Sequence, residues 1–374
     1  MDKLIIIYAW IAVLLYNLTY LSGLYAFLFR QRNVAPIKKA AGKLTIIRPI
    51  FGLDTENVKK NQAILNQDYS DIEVVIVAET GDTTTNTEFI NYPNVKYMIV
   101  STEGGLSPKV VKMAYAWERT QSEFVAFADS DIQIPHDLVS KMIKEFENPQ
   151  VAGISCPCLT TMDGLVGKIC MQTLSYDYMP VAYIGINLHH MEFMQGAFMM
   201  VRRSVIDEAG GVEQLRVSFA DDLRLGKLVE STGHKIRMMP DMLIHSCKGE
   251  SPAQLLQRYH RWEIAQKLEF PQKIFTDIFF NPTVIPLILS QISPSLSTGF
   301  VASAISIRII IAIVCDYFIV RKLAEYSILN SLLRPVGDML HFIMALKAVF
   351  SKRAMWRGRL YSVSFRGKIK QRLT

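Results

Sequence analysis

FVAFADSDIQI, residues 124–134, decides how the rest of the chain is read. Phe124–Ala128 is an apolar, β-prone run that stops at Asp129-Ser130-Asp131, and Pro135 opens a helical pattern. Such a run between helix-compatible segments reads as a buried strand of a parallel sheet. The two aspartates then fall at its C-terminal end, where open α/β sheets bind ligands. Two carboxylates one residue apart repel unless a cation sits between them, and hard divalent cations take oxygen ligands while leaving positions for phosphates. The pair points to a metal–diphosphate site. The plainer alternative is a strand end and a turn, because Asp-x-Asp by itself is common.

Working outward, Leu44–Arg48, Glu73–Ala78 and Val95–Val100 read as further strands. Glu56–Gln67, a short segment near Glu88–Asn91 and Lys109 to about Arg119 read as helices. Strands alternating with helices predict a Rossmann-like α/β half with helices on both faces of the sheet. Beyond it, Val151–Cys156 and Ala197–Val201 are strand-like, and Val166–Tyr178 and Asp222–Ser231 helical. Arg202–Ala209 reads as a helix closed by Gly210-Gly211.

The hydrophobic share of the 374 residues is 50%, and the excess sits at the ends of the chain. Leu4–Phe29 carries no charge and is long enough to cross a bilayer, for which about 20 apolar residues suffice. Arg30, Arg32, Lys38 and Lys39 follow it, so the positive-inside rule puts residue 30 onward in the cytoplasm. A signal peptide would have a shorter apolar core and a small-residue cleavage site. Ile278–Ser293, interrupted by Pro282 and Pro286, and Leu296–Val320, containing Arg308 and Asp316, read as two further membrane segments. Pro335–Phe350 carries Asp338, His341 and Lys347 and reads as an interfacial or re-entrant helix. After it, Lys352 to Arg372 is a basic stretch without an acid, expected on the cytoplasmic leaflet. The expected division is therefore a membrane helix over 1–30, a cytosolic catalytic domain over 40–272, two spans over 273–322, and an interfacial helix with a basic tail over 323–374. Inside the second span, Arg308 is expected to pair with Asp316 or to touch an acceptor.

Five cysteines without CxxC spacing read as reduced thiols rather than a zinc site. The net charge of +7 comes from basic residues flanking apolar segments, which suits a lipid surface and argues against nucleic acid.

More motifs follow the aspartates. Glu79 ends the second strand, with Asp82 in the turn after it. Asp221-Asp222 precedes a helix, where carboxylates meet the positive end of the dipole. Gln257-Arg258-Tyr259-His260-Arg261-Trp262 puts two arginines at i, i+3 on one helical face. Each has an ordinary alternative: an N-cap for the aspartates, a membrane-surface pair and interfacial anchor for the arginines and tryptophan.

Taken together, the order of these motifs resembles the inverting GT-A glycosyltransferases of family 2. It resembles more closely family 21, the ceramide glucosyltransferases with their bacterial hopanoid-modifying relatives. The resemblance rests on the N-terminal membrane helix, Glu79, Ser107-Pro108-Lys109-Val110, ADSDI, FADDLRLG, QRYHRW and Trp356-Arg357-Gly358-Arg359-Leu360-Tyr361. ADSDI replaces the SDSNI-like form of the animal enzymes, Asp221 stands where they have glutamate, and Ile154–Leu159 lacks their histidine. These departures point to the bacterial branch and leave the acceptor open.

The resemblance implies a UDP-sugar-dependent hexosyltransferase acting on a membrane lipid such as ceramide, with Mg2+ or Mn2+ as cofactor, in a bacterial inner membrane with its catalytic domain facing the cytoplasm. It implies roles as well. Glu79, with Asp82 nearby, would bind the uracil end; Asp129 would face ribose or metal, and Asp131 would ligate metal. Lys109, Arg258 and Arg261 would gather charge around the departing UDP. Asp222, beside Asp221, would be the general base, Trp262 the floor under sugar or acceptor, and Gly196 part of the acceptor loop. Alternatives are N-acetylglucosamine transfer to a hopanoid polyol, a processive polysaccharide synthase, for which about three spans are few, and a non-catalytic membrane scaffold.

Overall fold

The computed structural model describes residues 2–29, 42–50, 63–82, 92–103, 107–188, 191–247, 249–293, 296, 298–322, 327–356 and 358–373. The expected helix near Glu88–Asn91, most of that at Glu56–Gln67, the basic residues after the first apolar helix and Arg357 lie outside them.

The strands are β1 (Leu44–Pro49), β2 (Ile72–Glu79), β3 (Val95–Val100), β4 (Phe124–Ala128), β5 (Val151–Ser155), β6 (Cys158–Thr161), β7 (Phe198–Arg202), β8 (Lys235–Met238) and β9 (Leu243–Ser246). Seven of them form one sheet in the order β3-β2-β1-β4-β7-β5-β8. From β1 the chain builds outward through β2 and β3, then crosses back to β4 on the other side, so the strand order reverses between β1 and β4. At that reversal the strand ends leave a crevice, and Asp129 follows β4 directly into it.

Alternation explains why these runs are strands. Leu44, Ile46, Val74, Ile76, Phe124 and Ala126 bury into one core. Ile47, Val75, Val77, Val125 and Phe127 bury into the core on the other face. With both faces covered, every position is apolar and the run reads as continuous. The second half departs from a purely parallel sheet: β7 is antiparallel to both β4 and β5. The helices between β6 and β7 return the chain from the opposite end.

The helices that position the site are α1 (Asp2–Leu28), α2 (Pro108–Trp117), α3 (Leu138–Glu145), α4 (Gly164–Met171), α5 (Tyr178–Leu188), α6 (Arg203–Glu208), α7 (Asp221–Ser231) and α8 (Pro252–Glu269). They are followed by α9 (Pro271–Phe279), α10 (Val284–Ile292), α11 (Thr298–Phe318) and α12 (Arg334–Phe350). Among the described residues α1 and α11 are each long and apolar enough to cross a membrane. α9 and α10 pass the same test only as a pair, bent by 48°. Pro282 falls in the break between them, consistent with its inability to continue a helix.

The helix expected over Val166–Tyr178 is instead α4, a π turn at Gln172–Tyr176, and α5. Arg334 donates to the Gln172 carbonyl, diverting an acceptor from the ordinary ladder. α12 lies close here, since a Cβ on Gly337 would come within 2.6 Å of the Gln172 Cβ. Likewise α1 meets α5 so closely at Gly23 that a side chain there would strike Pro180.

Arg308 does not pair with Asp316. It binds Asp338 at 2.8 Å and Asp177 at 3.2 Å, while Asp316 takes Arg334 at 2.9 Å. The basic C-terminal stretch is folded: β10 (Arg353–Trp356), β11 (Arg359–Val363) and β12 (Ile369–Arg372) make an antiparallel sheet. That sheet packs against α8, where a Cβ on Gly367 would sit 2.5 Å from the Ile264 carbonyl oxygen.

Candidate active site

Ser107 caps α2 by accepting from the Val110 N–H, and Pro108 takes the first helical position, where its missing N–H leaves nothing unpaired. This start places Lys109 at the mouth of the crevice. Its Nζ lies 2.7 Å from Asp129 Oδ1 and 2.8 Å from Asp221 Oδ2. One cation thus ties the strand-end aspartate to the first turn of α7. Burial disfavours the Lys109 charge, but the two carboxylates outweigh it and raise its pKa.

Asp222 has no ion pair of its own among the described residues; its Oδ1 accepts from the Leu223 N–H at 2.8 Å. Burial, then the neighbouring Asp221 charge, pushes its carboxyl up to about 7. Gly196 faces it: a Cβ at Gly196 would lie 2.9 Å from Asp222 Oδ2. Gly196 and Asp222 are therefore in direct apposition.

Asp131 Oδ2 lies 2.7 Å from His245 Nε2, and Oδ1 is buried without a hydrogen-bond partner among the described residues. Burial opposes its ionisation, but the His245 hydrogen bond and charge hold the Asp131 carboxyl well below its ordinary range. For His245, burial lowers and Asp131 raises, with the net result a pKa of about 10. Beneath the turn, Arg48 is buried and donates to the Ser130 carbonyl at 2.7 Å. Neither Arg48 nor His245 belongs to a motif that the sequence singles out. The signal for Arg48 was a lone charge at the end of an apolar strand; for His245 it was an imidazole in a short strand, with nothing local to name its partner.

The RW segment lies on α8, started by a Ser251–Gln254 capping box. Arg258 forms an ion pair with Glu250, and its guanidinium stands 5.8 Å from the Trp262 ring. Its charge still contributes to lowering Asp131. Arg261 stacks over Trp356 of β10 at 5.4 Å. At the other end of the crevice, Glu79 accepts from Arg359 at 2.8 Å and from Thr102. The Asp82 N–H donates to the Glu79 carbonyl, closing the turn. Lys109, Asp129, Asp221, Asp222 and Gly196 are thus assembled together, whereas Glu79 and Arg261 are met by Arg359 and Trp356 of the C-terminal motif, and Arg258 by Glu250, which the sequence motifs do not single out.

A separate buried group, Glu263, Asp277 and His341, has ligand atoms within 4.8 Å of one another. A cation is already present there: Lys273 pairs with Asp277 at 2.6 Å, and the Tyr16 hydroxyl donates to the other oxygen of the same carboxylate.

Strand order, crevice and acidic strand ends define a GT-A glycosyltransferase. The mannosyltransferase of Pyrobaculum calidifontis, solved with GDP-Man and Mn2+, shares this fold at a TM-score of 0.59 and 16% identity, over 92% of this chain and 99% of that one. The chain belongs to glycosyltransferase family 21: the Glycosyl transferase family 21 model matches residues 5–369. Ceramide glucosyltransferase 1 of Caenorhabditis elegans is 19% identical over 87% of this chain and 73% of its own length. The ceramide glucosyltransferase of Komagataella phaffii is 24% identical over 36% of this chain and 29% of its own.

Proposed function

We propose that this glycosyltransferase is an inverting membrane enzyme that moves a hexose, glucose in our reading, from a UDP-sugar to the hydroxyl of a membrane lipid such as ceramide. The observation that carries the reading is Asp222: a carboxyl pushed up to about 7, open on the Gly196 side and flanked by the Lys109-centred cluster. A base is most effective with a pKa near the working pH.

In this scheme Asp222 takes the proton from the lipid hydroxyl as that oxygen forms a bond to the anomeric carbon. The bond from that carbon to the β-phosphate oxygen breaks, UDP leaves, and an α-linked donor gives a β-linked glycolipid. Lys109, Arg258 and Arg261 favour the growing negative charge on UDP. Trp262 supports the sugar or the acceptor head.

The donor set suits a divalent cation: Asp131 Oδ1 is buried without a hydrogen-bond partner among the described residues, His245 holds the other Asp131 oxygen, and Asp129 lies two residues away. Such carboxylate oxygens fit Mn2+ or Mg2+. Bound there, the ion would neutralise the diphosphate. Association with the bilayer through α1, α11 and the bent pair, with the catalytic domain on the cytoplasmic side of a bacterial inner membrane, completes the reading. Its support is the length and apolarity of those helices.

The test is UDP release by detergent-purified protein with Mn2+. UDP-glucose, UDP-N-acetylglucosamine and UDP-galactose are each paired with ceramide, bacteriohopanetetrol and diacylglycerol, alongside Asp222→Asn. Release that requires ceramide, UDP-glucose and Asp222 supports the reading. Release only with N-acetylglucosamine and the hopanoid moves the substrate, a polymer product makes the protein a synthase, and no release with any pair leaves a scaffold.

A further inference from the structure

The C-terminal sheet reaches the end of the crevice where Glu79 stands. Arg359 opens β11, and its Nη2 donates to Glu79 Oε1 at 2.8 Å across 280 residues of sequence. Thr102 Oγ1 donates to the same oxygen. An ionised carboxylate oxygen has two lone-pair sites, so Oε1 is filled. Glu79 Oε2, by contrast, is buried and has no hydrogen-bond partner among the described residues. A buried carboxylate oxygen left unpaired is costly unless a ligand donor completes it.

The sheet that carries Arg359 is well anchored. Trp356 and Arg359 are paired across the β10–β11 hairpin, where Gly358 supplies a φ of 74°. Tyr361 is fully buried and packs edge-on against Phe219 at 5.6 Å; Trp356 meets Phe219 at 6.0 Å. Phe219 lies two residues before Asp221, and Arg261 stacks on Trp356. One sheet therefore touches the acid at the end of β2, the segment leading to the proposed base, and the RW helix.

We infer that Arg359 is a specificity-determining positioning residue of the donor site: by occupying Glu79 Oε1 it leaves Oε2 as a single acceptor, which selects a nucleotide base offering one ring N–H. This rests on the nucleotide-donor reading above. Uracil presents one such N–H between two carbonyls. Guanine presents a ring N–H beside an exocyclic amine and is best met by both oxygens of a carboxylate, one of which Arg359 and Thr102 have already filled. A site with one acceptor leaves a guanine donor facing a saturated oxygen, and an unmatched polar group in a closed site discriminates strongly.

The experiment is equilibrium binding of UDP and of GDP to the detergent-solubilised full chain and to Arg359→Gln, Arg359→Lys and Thr102→Val. Arg359→Gln is expected to weaken UDP binding by about tenfold, the loss typical of a hydrogen bond to a charged group. GDP should weaken less or improve, so the UDP-to-GDP preference narrows. Arg359→Lys should recover part of the preference. Thr102→Val releases the second lone pair of Oε1 without touching the C-terminal sheet, and should shift the preference in the same direction even if the arginine variants fold poorly. Equal loss of UDP and GDP in the variants, or no change in either, overturns the inference while leaving the donor reading intact. A wild-type chain that binds neither nucleotide overturns both.

Discussion

The cluster at the crevice and the cluster among the apolar helices are built from the same side chains, several aspartates and fewer cations, yet they differ in which atoms are left over. Around Lys109 the carboxylates keep spare acceptors: among the described residues Asp222 lacks an ion pair and Asp131 Oδ1 and Glu79 Oε2 are buried without hydrogen-bond partners, while beneath the turn Arg48 keeps Nε and Nη1 unpaired. Around Arg308 and Arg334 each carboxylate is taken. Asp338 receives two N–H groups of Arg308, Asp316 two of Arg334, and Asp177 meets both arginines. Among the described residues the ion pairs themselves leave over only donor atoms, Arg308 Nη1 and Arg334 Nε; beside them the neutral amide oxygen of Gln172 is spare. In the proposed function, these unfilled acceptors are where a hydroxyl, a base N–H or a cation is to arrive. A filled network instead joins α11, α12 and the π turn; Tyr20 of α1 also meets Arg308 at 3.4 Å.

The difference makes opposite predictions for two single substitutions. Asp222→Asn should lower UDP release by about a hundredfold to ten-thousandfold, the range for a general base. Its unfolding midpoint should be unchanged or raised, because repulsion with Asp221 is relieved. Arg308→Met should do the reverse. It strands Asp338 in a buried setting, a loss of about 3–5 kcal/mol of stability, visible as a lower thermal midpoint in detergent. Adding Asp338→Asn should restore part of it. If both variants lost stability and activity together, the two clusters would not be different in kind.

Lys109→Met sharpens the contrast from within the crevice. The Asp222 carboxyl is raised first by burial and next by Asp221, while Lys109 pulls it down. Without that charge its pKa rises further above about 7. Because the base must be unprotonated to act, the acid limb of the pH–rate profile moves to higher pH. A shift of about one unit lowers the rate at neutral pH about fivefold, since about half of the carboxyl is ionised at pH 7 before the shift and about a tenth after it, recovering in alkaline buffer. A uniform loss at every pH would instead mean that Lys109 acts only on the leaving diphosphate.

Local pattern was enough wherever a function coincides with the end of an element. Continuous β-prone runs gave the central strands; Ser107-Pro108 and Asp221-Asp222 announced helix starts, and the side chains displayed there are the ones that meet. What could not be read was pairing across long separations. His245 joins Asp131 across 114 residues and Arg359 joins Glu79 across 280. Arg308 shows the trap in choosing a nearby partner: Asp316 is eight residues along the same helix, about 12 Å away at 1.5 Å per residue. Its real partners come from α12 and the end of the π turn. The antiparallel β7 was similarly invisible, since a strand's direction is set by its neighbours and not by its own apolar pattern.

The smallest effect is expected where the two proposed substrate-facing groups touch. A Cβ on Gly196 would lie 2.9 Å from Asp222 Oδ2 and 3.2 Å from its carboxyl carbon, closer than side chains tolerate. The obstructing atoms belong to the end of a movable side chain, so Gly196→Ala should fold with a stability change within about 1 kcal/mol. Asp222 must turn aside, and a displacement of a few tenths of an ångström in a proton-accepting group should lower lipid transfer by about threefold to tenfold. The position of the acid limb should not move, because Lys109 and Asp221 remain in place. That separates Gly196→Ala from Lys109→Met: one misplaces the base without retuning it, the other retunes it without misplacing it. An alanine variant with unchanged transfer would show that Asp222 works from a rotamer pointing away from Gly196, and the acceptor would then have to approach from the opposite side of the carboxylate.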